Sequence, residues 1–312
     1  MIRAPRAPNP TLFGSDKDRT ASAPIIRRAV AEIRRRYAGL LVDVLAIFRG
    51  IRIIGANDAL SVARTVYALG PQEAAAVSLA LQQALDRWLL DNRSAADVFW
   101  WSAYEDDAAR LGTAQTVANL TNLSASYGAA RRLEEVVFSE PYRTRVAVAQ
   151  VRSMDHWTGT AAGARSALSQ IIGRAVVDGK NPRTVEAEIR ERLDVSRADA
   201  FRYAQTDIPG TLREAKWAEA DHAEETMGLR LGLLWTSALL PTTRPWHASR
   251  AGRVYTTEEV RKFYSERGNR YNCFCGQTEC LLDEDGKPML SDALKSTLAK
   301  RRQQWVKDYG PK

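Results

Sequence analysis

From Pro24 onward, large apolar residues recur at steps of three and four: Ile26, Val30, Ile33, Tyr37, Leu40, Leu41, Val44 and Phe48. This spacing predicts one long helix with a single apolar stripe, entered through a proline that suits the first turn. Arg27, Arg28, Arg34, Arg35 and Arg36 lie mostly off the stripe and give the helix a basic face. Eight large apolar residues exceed what a lone surface helix needs. Ile26, Ile33, Tyr37, Leu40 and Val44 are therefore expected to dock on a partner, the alternative being packing inside their own helical region. "RGIRIIGANDA" interrupts the pattern, which resumes in "GPQEAAAVSLALQQALDRWLLDN" and again from Ala95 to about Ala130. Trp88, Trp100 and Trp101 read as packing anchors.

Beyond residue 160 the elements shorten. "AGARSALSQIIGRAVVDGKNP" predicts a helix ended by Gly179, with Pro182 just past it. A second helix places Val185, Ile189 and Leu193 on one face. Ser196 is expected to cap a third, which Pro209 and Gly210 should kink or split. "MGLRLGLLWTSALL" alternates as a strand does, with Leu229, Leu231 and Leu233 on one face. "TTEEVRKFYSERG" predicts a short helix capped by Thr257, and "YNCFCGQTECLLDEDGKPM" a strand pair or bulged strand closing at the Asp285–Gly286 turn. A basic helix over 290–308 ends the pattern. The fold class that follows is mainly α: an extended helical N-terminal region plus a small α+β C-terminal module with a short antiparallel sheet. The expected segments are a flexible basic arm (1–22), a helical docking region (23–155), the α+β module (156–289) and a basic helical tail (290–312).

Composition narrows the function classes. The chain has 312 residues, 26% of them charged, and a net charge of +8. Residues 1–50 carry ten Lys/Arg against four Asp/Glu, and residues 287–312 carry seven against two, so the chain between them is net negative. Basic ends on such a body point to a polyanion, nucleic acid above all, with Lys295, Lys300, Arg301, Arg302 and Lys307 as contacts, against the alternative of a solvated charged surface. No apolar run is long enough for a membrane span, and no apolar core follows the basic N-terminus as a secretory signal would require.

All three cysteines, Cys273, Cys275 and Cys280, lie within eight positions of one another. An odd, clustered count is not a disulfide framework. With His247 they make a Cys3His set for zinc, which takes four soft or borderline ligands in structural sites. On an extended strand Cys273 and Cys275 share a face while Cys280, at odd separation, turns away unless Gly276 bulges. The expected reading is nonetheless buried free thiols packing the β core beside a structural histidine, with no cofactor; zinc on this set, or a redox pair, is the alternative. His247, Asn269 and Asn272 could serve a metal-dependent nuclease. However, no D-x-D, H-N-H spacing, phosphate loop or G-x-S-x-G accompanies them, so an enzyme is not expected. "DEDG" at 283–286 lacks calcium-loop spacing and reads as a turn.

Thr206-Asp207, Trp235-Thr236-Ser237, Thr243-Arg244, His247, Gly252 and Asn272-Cys273-Phe274-Cys275 follow in an order and spacing that resembles the phage head morphogenesis family named for phage Mu protein F, over about residues 160–285. The chain departs from that pattern in having "AQTD" for an Arg-Thr-Glu step, Leu240 for an acidic residue, and Phe274 for an arginine. The resemblance implies a non-enzymatic minor head protein of the virion, in the capsid interior or at the portal vertex, with assembly in the host cytoplasm. It also implies contact with portal protein, with scaffold or major capsid protein, and with packaged double-stranded DNA; no membrane partner is expected, because no apolar run is long enough to span a membrane. The alternative is a virion-carried, metal-dependent DNA-acting enzyme.

Overall fold

Steps of three and four dominate the apolar spacing, and the computed structural model accordingly consists mostly of helices. It describes residues 9–57, 64–91 and 99–310. In chain order these form α1 (Ala23–Arg49), β1 (Ile53–Asn57), β2 (Arg64–Tyr67), α2 (Pro71–Leu89), α3 (Ser102–Leu123), α4 (Ala125–Ala130), α5 (Leu133–Phe138), α6 (Glu140–Asp178), α7 (Pro182–Met227), β3 (Leu231–Thr236), α8 (Pro245–Ala248), β4 (Val254–Tyr255), α9 (Thr257–Ser265), β5 (Gly276–Leu281) and α10 (Asp292–Tyr309). The fold is mainly α with small antiparallel sheets, as the apolar pattern predicts. No described helix is long and apolar enough to cross a membrane.

The chain forms two compact units, each assembled from separated segments. The expected boundaries at 22, 155 and 289 describe contiguous blocks instead. One unit comprises residues 28–103 and 150–203, and the other comprises 1–27, 104–149 and 204–312. In the first, the α1 stripe is spent internally: Ile33, Leu40 and Val44 are wholly buried and Tyr37 donates to or accepts from Ser196 Oγ at 2.8 Å. Ile26, in the second unit, is buried as well. The stripe is therefore not a free docking face. Ser196 does not cap a helix, because α7 runs unbroken through it and through Pro209. Gly179, at φ +67°, ends α6 where expected. The interruption at "RGIRIIGANDA" contains a hairpin strand, β1, paired antiparallel with β2.

The second unit is built on a three-stranded antiparallel sheet in the order β4-β3-β5. All six residues of β3 are buried, so both faces of this strand are covered. Period-two alternation sends Leu231, Leu233 and Trp235 into one core with Trp217, Phe263 and Tyr264. Leu234 and Cys280 enter another with Leu290, just ahead of α10, and Leu298 on it. That second core explains why the "tail" helix is docked: Leu298 and Trp305, seven residues apart, form its inner face, and Trp305 Nε1 donates to the Leu240 carbonyl at 2.8 Å. The helix α9 is capped by Thr256, one residue before the expected Thr257, through a reciprocal capping box with Glu259.

Residues 9–22, expected within a flexible arm, are packed. Asp18, Thr20 and Ser22 are buried. Thr11 N donates to Asn119 Oδ1 at 2.7 Å, and Gln115 Nε2 donates to the Thr20 carbonyl at 2.9 Å. The remainder of that arm, residues 1–8, lies outside the described residues.

Candidate functional site

The run Asn272–Cys275 precedes β5 as irregular chain, and Asn272 adopts a left-handed φ of +48°. One arginine holds the loop that leads into it and another holds the run itself. Arg244, next to α8, donates to the carbonyls of Gly268, Asn269 and Tyr271 at 3.0, 3.2 and 2.5 Å. Arg213 of α7, 2% exposed, donates to the Cys275 carbonyl at 3.2 Å and to the Cys273 carbonyl. Its guanidinium also lies 4.6 Å from the centre of the Tyr264 ring.

Within this clamp the thiols face His247. Pro245 opens the single turn of α8 and His247 N donates to the Arg244 carbonyl at 2.9 Å, which fixes the ring's position. His247 Nδ1 lies 3.4 Å from Cys273 Sγ and 3.8 Å from Cys275 Sγ. The three ligand atoms all lie within 4.8 Å of one another, and all three residues are buried. Cys275 Sγ donates to Ser237 Oγ at 3.5 Å, and Tyr264 Oη lies 3.4 Å from Cys273 Sγ. The Tyr264 ring stacks on Trp235, with centroids 5.4 Å apart. His247 Nε2 is buried without a hydrogen-bond partner among the described residues.

The two thiols are electrostatically unequal. Burial opposes ionisation of Cys273, but its hydrogen bond to Cys275, the Arg213 charge and His247 outweigh burial and hold it well below the ordinary thiol range. Cys275 is raised, first by that same hydrogen bond and then by burial. Tyr264 is raised well above its ordinary value, mainly by burial.

Cys280 does not join the cluster. The β3–β5 register runs without a bulge from Leu231↔Leu281 to Thr236↔Gly276, so nothing reverses the alternation and Cys280 faces the α10 core. Burial there, with Glu279 adjoining, pushes its thiol up to about 12. The expected four-ligand set thus reduces to His247, Cys273 and Cys275.

Asn269 is also committed elsewhere. Its Oδ1 accepts from Trp246 Nε1 and its Nδ2 donates to the Phe263 carbonyl, both at 2.8 Å. Asn272 meets Thr206 through its backbone N–H, at 3.3 Å. The His247 cluster contains no carboxylate.

The basic residues of α10 divide into two sets. Lys295, Lys300 and Lys307 are exposed. Arg301 pairs with Asp16 at 2.8 Å, and Arg302 donates to the Ala251 carbonyl.

Sequence reasoning missed Arg213, because a lone arginine in "GTLREAKW" reads as a solvated helix position. It missed the buried pair Lys216–Glu279 for the same reason. Their Nζ and Oε1 lie 3.8 Å apart, and Glu279 also accepts from Thr116 Oγ1 at 2.8 Å and Asn119 Nδ2 at 3.0 Å. Burial lowers the Lys216 pKa, against the pull of Glu279.

No family model, curated protein or solved structure matches this chain.

Proposed function

We propose that this chain is a phage minor head protein of the Mu protein F-like kind, acting at the portal vertex in head assembly and in DNA packaging or delivery. The observation that supports this reading is that the motif positions, scattered over more than sixty residues of sequence, meet in one hydrogen-bonded frame. Thr206 holds Asn272, Thr236 Oγ1 donates to the Gly276 carbonyl at 3.2 Å, and Ser237 meets Cys275. Arg244 ties the 268–271 loop, His247 faces both thiols, and Gly252 N donates to the Trp235 carbonyl at 2.8 Å. A motif spent on closing a module suits a building block better than a catalyst, since Thr206, Thr236 and Arg244 bond to the chain's own backbone.

The partners in this reading are portal protein, scaffold or major capsid protein, and packaged duplex DNA. With the α1 stripe buried, docking falls to other surfaces, and DNA contact to the exposed lysines of α10. The deciding experiment is mass spectrometry of purified virions, and of capsids emptied of DNA, from the phage that encodes the chain. Detection in either at low copy number is expected, and absence from both overturns the reading.

A further inference from the structure

We propose that His247, Cys273 and Cys275 are the three protein ligands of one zinc-class cation, with the remaining tetrahedral position left to a non-protein ligand and Cys280 excluded. The proposal rests on local geometry and does not depend on the minor head reading.

The first argument is spacing. Zinc–sulfur bonds of ~2.3 Å and zinc–nitrogen bonds of ~2.0–2.1 Å at tetrahedral angles place a sulfur about 3.5 Å from a nitrogen, and two sulfurs about 3.8 Å apart. The observed sulfur-to-Nδ1 separations are 3.4 and 3.8 Å, with all three ligand atoms inside 4.8 Å. The donors already stand near the corners such a cation requires.

The second argument is valence. One imidazole nitrogen forms one good hydrogen bond, yet both thiols converge on the same Nδ1. At Nδ1 itself, hydrogen bonding serves one sulfur and leaves the other to a hydroxyl, Ser237 Oγ for Cys275 or Tyr264 Oη for Cys273, whereas a cation between them engages all three donors together. The donor set is two sulfurs and an imidazole with no carboxylate, which favours zinc over magnesium or calcium.

The third argument is rigidity. Arg213 fixes the backbone at Cys273 and Cys275, and Arg244 ties the 268–271 loop that leads into them. The donors therefore belong to a braced frame, and little ordering is left for the cation to impose.

The test uses the full chain, reduced and stripped of metal, titrated with cobalt(II) as a spectroscopic stand-in for zinc. The expected result is one cobalt per chain, with an intense thiolate-to-cobalt charge-transfer band and the visible bands of tetrahedral cobalt, both abolished by added zinc. Cys280→Ala should leave stoichiometry and spectrum unchanged. Cys273→Ser and Cys275→Ser should each remove about half the charge-transfer intensity and weaken binding by about tenfold or more. A wild-type chain that shows no charge-transfer band overturns the proposal, as does a band that depends on Cys280. If the serine variants fail to fold, the wild-type and Cys280→Ala titrations decide between these outcomes by themselves.

Discussion

The backbone N–H of Arg19 donates to the carbonyl of Phe274 at 3.1 Å, laying the N-terminal segment beside the chain that enters β5. The fit at the next step is close. A Cβ placed on Gly276 would come within 2.4 Å of the Arg19 carbonyl oxygen, a backbone atom that cannot swing aside. Gly276→Ala should therefore push the segment off or distort the start of β5, at a cost of ~1–3 kcal/mol in denaturant unfolding. Limited proteolysis should show faster cleavage within residues 9–22. An unchanged midpoint and cleavage pattern would mean the segment is not held at this point.

What the sequence made legible was decided by periodicity. The helical stripes, the strand at Leu231 and the Gly179 stop all follow from local spacing, and local spacing survives folding. The stripe of α1 shows where that reasoning ends. Spacing tells that Ile33 and Leu40 are buried, but not whether a partner or the same chain buries them. The hairpin strand at Ile53 was hidden because Ile53 and Ile54 are exposed and leave no one-sided pattern. Ser196 and Pro209 resemble breakpoints by local propensity, yet tertiary packing carries α7 through both. At the site, alternation along β5 turns Cys280 toward the α10 core, but Cys273 and Cys275 stand on irregular chain ahead of that strand, so their shared approach to His247 does not come from the strand period expected of them. Alternation could not supply Arg213, whose role depends on carbonyls sixty residues away.

Lys216 and Glu279 are 3% and 0% exposed, so each needs the other's charge. Glu279→Leu should cost ~3–5 kcal/mol, because it strands a buried ammonium and leaves Thr116 and Asn119 without their acceptor. The double variant Lys216→Met with Glu279→Leu should be more stable than the single one, since the stranded charge is gone. Urea unfolding of the two singles and the double measures this coupling directly. Strict additivity would show that the pair does not interact.

His156 stacks flat on Tyr203, with ring centroids 3.6 Å apart and planes within 6°. Burial lowers its pKa, against the opposing pull of Asp199. The unfolded chain, with an ordinary value of about 6.5, then binds the proton more readily than the folded one. Stability from the neutral ring is thus fully present above about pH 6.5 and is lost as pH falls below it. His156→Phe keeps the stack and removes the titration, so its stability should vary less than wild type between about pH 7.5 and 5.5. Parallel pH profiles for the two proteins would show that His156 does not contribute.

Lys300 and Lys307 are exposed and stand two helical turns apart on one face of α10, while the inner face carries Leu298 and Trp305. If duplex DNA is a partner, these lysines are placed to meet phosphate, whereas the exposed Lys295 already faces Asp292 at 3.7 Å. Arg302 is held by the Ala251 carbonyl, and Arg301 must first release Asp16. Each phosphate neutralised on duplex DNA contributes about 0.9 to the slope of log affinity against log salt. Changing Lys300 and Lys307 together to Gln should therefore flatten that slope by about 1.8 without altering thermal unfolding. Arg302→Gln should do the reverse, lowering stability through the lost carbonyl bond and leaving the slope nearly unchanged. Fluorescence anisotropy with a short duplex across a salt series separates the two effects. A slope that the double lysine change leaves intact moves the DNA contact away from α10, and an affinity indifferent to salt removes phosphate recognition from the account of this chain.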